Sequence, residues 1–152
     1  MREILFRGKA SHPLNKNKWF YGSYFEKIEY GIGTAPLKKP TLIVSVPERS
    51  SGIGIVDVYK STVGEYTGVP DKKNVKIFEG DIVHVESYRE TLEFVGYELV
   101  SFDATVVFDM NNFWLDDKQN SHRCLFYDVE NTCMEVIGNI HDNPDLLGGD
   151  DK

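Results

Sequence analysis

The sequence predicts a mainly β fold, in the form of a partly closed small β-barrel packed against an N-terminal antiparallel sheet. Three observations carry that expectation. Apolar residues alternate over short runs such as Glu3 to Arg7, the period of a strand with one buried face. Clusters of Gly, Pro, Asn, Asp and Ser punctuate those runs at short intervals. Few windows hold apolar residues at helical spacing, so helix is confined to single turns.

The elements follow in order. Ile4 and Phe6 face one way in the first strand. The loop Ser11-His12-Pro13-Leu14-Asn15-Lys16-Asn17 leads to a second strand whose Trp19, Tyr21 and Phe25 share a face, with Gly22-Ser23 read as a bulge or bend. A loop from Gly31 to Pro40 precedes the apolar run Thr41 to Val46. A second loop, Pro47 to Gly52, leads into Ile53 to Tyr59. Ser61 to Tyr66 reads as one helical turn, because Thr62 stands three residues before Glu65 at capping-box spacing. Lys72-Lys73-Asn74 reads as a hairpin tip. Ile77 to Glu86 is the strongest strand signal, interrupted at Glu79-Gly80-Asp81, where Gly supplies unusual backbone angles and Asp accepts from nearby amides. Strands over Leu92 to Val100 and Ala104 to Phe108 join through Ser101-Phe102-Asp103. Asn111-Asn112 turns the chain into Phe113-Trp114-Leu115. Cys124 to Val129 and Met134 to Ile140 are expected to pair across Glu130-Asn131-Thr132. Asn143 and Pro144 suit the start of a last helical turn. The organisation expected is one domain over 1–152, with subdomains near 1–60 and 61–148 and an acidic tail at 149–152.

Composition bounds the function. Seventeen Phe and Tyr in a chain that is 41% hydrophobic supply enough apolar mass for a packed core. The longest apolar run, Thr41 to Val46, falls far short of the roughly 20 residues of a membrane span. The opening Met1 to Arg7 lacks the apolar core of a signal peptide, which predicts a soluble cytoplasmic protein. Cys124 and Cys133 then read as reduced thiols filling small gaps. A net charge of −7 argues against a general nucleic-acid coat, whose affinity comes from cations neutralising phosphates.

Four blocks in order carry a family resemblance: MREILFRGK (Met1 to Lys9), WFYGS (Trp19 to Ser23), VGEYTGVPDKKNVKIFEGDIV (Val63 to Val83) and VIGNIHDNPDLL (Val136 to Leu147). Together they cover a little over a third of the chain, and their combination resembles the YopX family of phage and prophage proteins. The resemblance implies a phage or prophage origin and a cytoplasmic, mostly β protein in a bacterial host cell. It implies no catalytic residues. The tip Asp71-Lys72-Lys73-Asn74 departs from the Gly-containing turn usual there, and Tyr88 to Asp103 is longer than typical.

Candidate chemistry is thin. His122, Cys124, Cys133 and His141 are the right types for tetrahedral zinc but lack paired ligand spacing, so no metal is expected. Gly31-Ile32-Gly33 and Gly52-Ile53-Gly54 lack the third Gly and the helix of a dinucleotide fingerprint, and no Walker lysine is present. No cofactor is expected. Glu79 with Asp81, and His141 with Asp142, are pairs of the types used in acid–base work, but Asp81 reads better as a turn-fixing group and His141 as a surface residue preceding an N-cap. Trp19, Phe20, Tyr21, Tyr24 and Phe25 place five aromatics in seven positions, more than one sheet face can bury. The residues selected for binding are Trp19, Tyr21, Tyr24, Tyr66, Asp81 and His141.

These readings rank three functions. The first is a non-enzymatic accessory protein that binds a host or phage protein or forms a homo-oligomer. The second is a nucleic-acid-binding β-barrel module using the aromatic-Lys segment and Lys72, Lys73 and Lys76, or an acidic mimic of DNA. The third is a small enzyme of unspecified reaction.

Overall fold

The computed structural model describes residues 3–45, 53–90, 96–118 and 120–147. Pro47 to Gly52, Leu92 to Val95 and the tail from Gly148 lie outside them, as does the side chain of His122. The chain divides into two compact units, Met1–Tyr66 and Thr67–Lys152. Both are built from antiparallel strands, and the protein is mainly β.

In the first unit β1 (Phe6–Lys9), β2 (Trp19–Glu29), β3 (Leu37–Ser45) and β4 (Ile53–Asp57) pair in the order β4-β3-β2-β1. The beginning of β5 (Gly64–Pro70) borders β1 through Phe6↔Glu65 and Arg7↔Gly64. Alternation assigns the faces. Leu42, Val44 and Val58 are buried, with Phe6, Phe20, Tyr24, Val56 and Val63 packed on them. Gly22 is where β2 changes partner: it forms the end pair with β1 (Phe6↔Gly22) and the end pair with β3 (Gly22↔Val44), and neither ladder shifts register there. Glycine is required by close approach instead, since a Cβ there would lie 1.9 Å from the Ile43 carbonyl oxygen.

The expected helical turn at Ser61 to Tyr66 is corrected. A short 3-10 turn covers Lys60–Thr62, and strand resumes at Gly64. Thr62 does not cap toward Glu65. Its hydroxyl accepts from Lys9 N (2.9 Å) and donates to the Tyr59 carbonyl (2.7 Å), a long-range bond that outweighs the local capping pattern.

In the second unit the rest of β5 turns into β6 (Lys76–Phe78). A five-strand sheet follows, made of β7 (Asp81–Glu90), β8 (Tyr97–Asp109), β9 (Asn112–Asp117), β10 (His122–Leu125) and β11 (Met134–Asn139), in the order β10-β9-β8-β7-β11. No strand closes this sheet into a barrel among the described residues, so it remains an open form of the expected architecture. Its buried face carries Val83, Val85, Ala104, Val106, Phe113, Leu115, Phe126 and Met134 with Ile77. Burying each of the larger of these side chains contributes about 1.5–3 kcal/mol. Tyr127 edges onto Phe126 at 5.2 Å and donates its hydroxyl to the Thr67 carbonyl (2.6 Å).

Two further expectations are corrected. Ser101-Phe102-Asp103 is not a joint: β8 runs through it, because each residue has a cross-strand partner in β7. The Cys124 strand and the Met134 strand do not pair with each other. The first pairs with β9 and the second with β7, while the 3-10 turns Phe126–Asp128 and Asn131–Cys133 carry the chain between them. The expected last turn is present as the 3-10 turn Pro144–Leu147, and the Asn143 amide oxygen accepts from the Asn139 amide at 3.3 Å.

Candidate functional site

Of the six residues selected from sequence, Trp19, Tyr21, Tyr24 and Tyr66 belong to the first unit and Asp81 and His141 to the second. In the first unit Trp19 and Tyr21 lie on the β2 face opposite the core, while Tyr24 is in the core cluster, 5.5 Å from the Phe6 ring. Trp19 is flanked by cations of β1: the Arg7 guanidinium lies 4.8 Å and the Lys9 ammonium 5.3 Å from its ring. Both cations are buried, so the stack is a packed structural unit. Tyr21 is half exposed and Tyr66 is buried. In the second unit Asp81 is buried, and its carboxylate accepts from the Phe78 amide at 2.8 Å, which shapes the turn at Gly80 (φ 81°). His141 is half-buried, and its amide donates to Asn139 Oδ1 at 3.0 Å. Cys124 and Cys133 are free thiols, and burial pushes that of Cys124 up, away from the reactive thiolate. Among the described residues no three His, Cys, Asp or Glu side chains are grouped to hold a metal.

What the structure does assemble is a row of polar side chains across β11, β7 and β8, on the face opposite the core. It starts from Asp71, which is buried in the turn between β5 and β6. One carboxylate oxygen accepts from the amides of Lys73 and Val75 (both 2.8 Å) and the other from Val136 in β11 (2.9 Å). The turn is thereby fixed to β11, and its two lysines reach Glu135. Lys72 Nζ lies 2.9 Å from one Glu135 oxygen, and Lys73 pairs with the other. The hydrogen bonds from Lys73 and then Lys72 hold the Glu135 carboxyl down at about 2.

The sheet register continues the row, with Glu135 opposite His84 and His84 opposite Asp103. His84 Nδ1 lies 2.6 Å from Asp103 Oδ1; an ionised carboxylate only accepts, so Nδ1 carries the hydrogen. On the other side of the ring, Nε2 lies 3.4 Å from Ser101 Oγ and 3.7 Å from Glu86. The order Asp-His-Ser is that of a nucleophilic triad. Catalysis also requires donors aimed at the developing oxyanion. Ser101 lies inside a long strand, away from any turn or helix start that would aim two amides at one point. The arrangement is therefore best suited to fixing a polar surface.

Beyond this row the β7–β8 hairpin leaves the sheet. β11 follows β7 only from Asp81 to Val85, and β9 follows β8 only from Thr105 to Asp109, yet β7 and β8 stay paired as far as Glu90↔Tyr97. The outer part is a two-stranded arm. Register places Tyr88, Leu99 and Tyr97 on one face, continuous with Glu86, Ser101, His84 and Asp103. Their exposures are 71%, 55% and 71%. The arm was hidden in the sequence because its face depends on pairings between residues up to 19 positions apart. The one local signal was the alternation of His84, Glu86 and Tyr88 against buried Val83 and Val85.

The family model described as YopX protein matches residues 10–148. The chain belongs to the YopX family. The match takes in both units, so the polar row and the arm lie inside the YopX region. No curated protein matches the chain. No helix among the described residues is long and apolar enough to cross a membrane.

Proposed function

We propose that this YopX-family chain is a non-enzymatic accessory protein of phage or prophage origin that works in the bacterial cytoplasm by binding another protein. The reading is supported chiefly by the β7–β8 arm, where two tyrosines and a leucine stand exposed on one face of a ribbon flanked by no third strand among the described residues. A lone two-stranded ribbon is marginal in water, and clustered exposed apolar side chains mark interaction surfaces. Tyrosine suits such a surface, since it gains contact area at low entropic cost and keeps a polar tip.

The test is affinity capture of the tagged full-length chain from its bacterial host, with a nuclease-treated control. The reading expects a stoichiometric protein that survives nuclease and is lost from a Tyr88→Ser/Leu99→Ser variant. Recovery of nucleic acid alone, removed by nuclease, would reject it. One observation favours a nucleic-acid module as the second reading: Trp19 and half-exposed Tyr21 on one strand face near Lys16 and Lys18, residue types that stack on unpaired bases and meet phosphates.

A further inference from the structure

We propose that the chain forms a two-fold dimer in which the outer face of β3 and β4 packs on the same face of a second copy. The inference concerns the first unit alone and does not depend on the β7–β8 arm. The register sets the geometry. Ile43 of β3 lies opposite Ile55 of β4 on one side and Ser23 of β2 on the other. Ile53 shares the face of Ile55, two residues back along β4, and Tyr21 shares that of Ser23 in β2. The core of this unit lies on the opposite face, with Leu42 and Val44.

An antiparallel sheet with one buried face ordinarily sets polar residues on the other. Here Ile55, Ile53, Tyr21 and Ile43 are 63%, 57%, 50% and 41% exposed on that second face. Single exposed isoleucines are ordinary, but these three adjoin one another, and contiguous apolar surface marks an interface. Two such sheets packed face to face lie about 10 Å apart with their side chains interdigitated. Four apolar side chains are few against the roughly 20–30 residues a side of a standard interface, so a weak, concentration-dependent dimer is expected.

Charge identifies the occupant. A two-fold interface sets a patch against itself, so a charge within it stands near its own copy. None of Tyr21, Ser23, Ile43, Ile53 and Ile55 is charged. The charges that border them are matched within the chain. Asp57 accepts from the Thr41 hydroxyl at 3.2 Å, and Glu29 holds Lys27 at 2.9 Å and Lys39 at 2.6 Å. Arg7 and Lys9 are buried against Trp19. A second copy therefore meets no like charge on this face, in a chain whose net charge of −7 opposes self-association elsewhere. A strongly charged partner would find no opposite charge among these five side chains.

The test is sedimentation equilibrium of the full-length chain over roughly 1 to 300 μM. The inference expects the mean mass to rise from the 17.4 kDa of one chain toward twice that value. Ile55→Lys brings like charges into the interface and is expected to raise the dimer dissociation constant by about tenfold or more. Ile43→Thr/Ile55→Thr keeps β-branched residues in both strands and removes only apolar surface. It should also weaken the dimer by about tenfold, with an unchanged circular dichroism spectrum. Tyr88→Ser/Leu99→Ser is the control and should dimerise like the parent. A mass of one chain at every concentration would overturn the inference, as would a dimer that survives both isoleucine variants or is lost from the arm variant. A monomeric parent that captures a bacterial protein, with capture lost in Ile55→Lys, would assign the face to another partner and reject the second copy.

Discussion

Asp71 illustrates how one carboxylate organises chemistry that belongs to other residues. Its two oxygens hold three backbone amides, at Lys73, Val75 and Val136, and it is buried where water does not replace them. Asp71→Ala strands all three donors and should lower stability by about 2–4 kcal/mol, since each buried unmatched donor costs about 1–3 kcal/mol and the losses overlap. Asp71→Asn keeps one acceptor oxygen and should cost less; urea unfolding measures both, and equal losses would contradict the assignment. Glu135 depends on the geometry that Asp71 sets. Its folded carboxyl titrates at about 2 against an ordinary 4.5. A depressed folded value contributes stability that is present above pH 4.5 and is lost as pH falls from there through 2. The pair is exposed to solvent and screened by salt, so the effect is modest. The fall in urea midpoint between pH 5 and pH 2 should therefore be shallower in Glu135→Gln than in the parent, most clearly at low ionic strength. Of these two carboxylates, neither role was legible in the sequence. Asp71 stood out only as part of a turn, because its decisive partner, Val136, is 65 residues away.

At the scale of elements, alternation and turn residues show where strands form, but pairing decides what they are for. The fragment Glu79-Gly80-Asp81 was readable because its chemistry is local: a positive-φ glycine and a carboxylate accepting from an amide three residues back. Ser101-Phe102-Asp103 misleads for the opposite reason. Its Ser and Asp resemble turn residues, yet Asp103 faces His84 and Ser101 faces Glu86 across a ladder the local sequence does not encode. Tertiary pairing overrides β-propensity of about 1 kcal/mol in range. Gly22 makes the same point in β2. Read locally it is a bend; in the sheet it is the place where the Ile43 carbonyl comes closest. Gly22→Ala puts a methyl carbon 1.9 Å from that oxygen, a backbone collision that rotamer change does not relieve. The β2–β3 ladder must shift, at an expected cost of about 3 kcal/mol or more, in the upper tail of single substitutions. Thermal unfolding of Gly22→Ala beside Ser23→Ala, its neighbour in the same strand, is the direct comparison. Similar melting temperatures would show that the sheet absorbs the extra carbon.

For the whole molecule, charge separates the two binding readings. The net charge is −7, and the cations nearest Trp19, Arg7 and Lys9, are buried against its ring. A single-strand binder needs exposed cations along the path of the backbone beside its stacking rings. Here exposed Lys16 and Lys18 adjoin that segment, while Lys72 and Lys73 are engaged by Glu135. With so few cations available, the electrostatic gain is small, because each neutralised phosphate of a single strand contributes a salt slope of only about −0.7. The full-length chain should therefore show no measurable anisotropy change with a labelled poly-dT 20-mer at 150 mM salt and micromolar protein. Weak binding at 20 mM should vanish on salt addition without altering Trp fluorescence. Binding that persists at 150 mM, quenches Trp fluorescence and is lost in Trp19→Ala would reverse the ranking. It would place the function on the Trp19 face of the first unit and leave the β7–β8 arm as architecture, because stacking on Trp19 would then be supplying affinity that the protein's charge opposes.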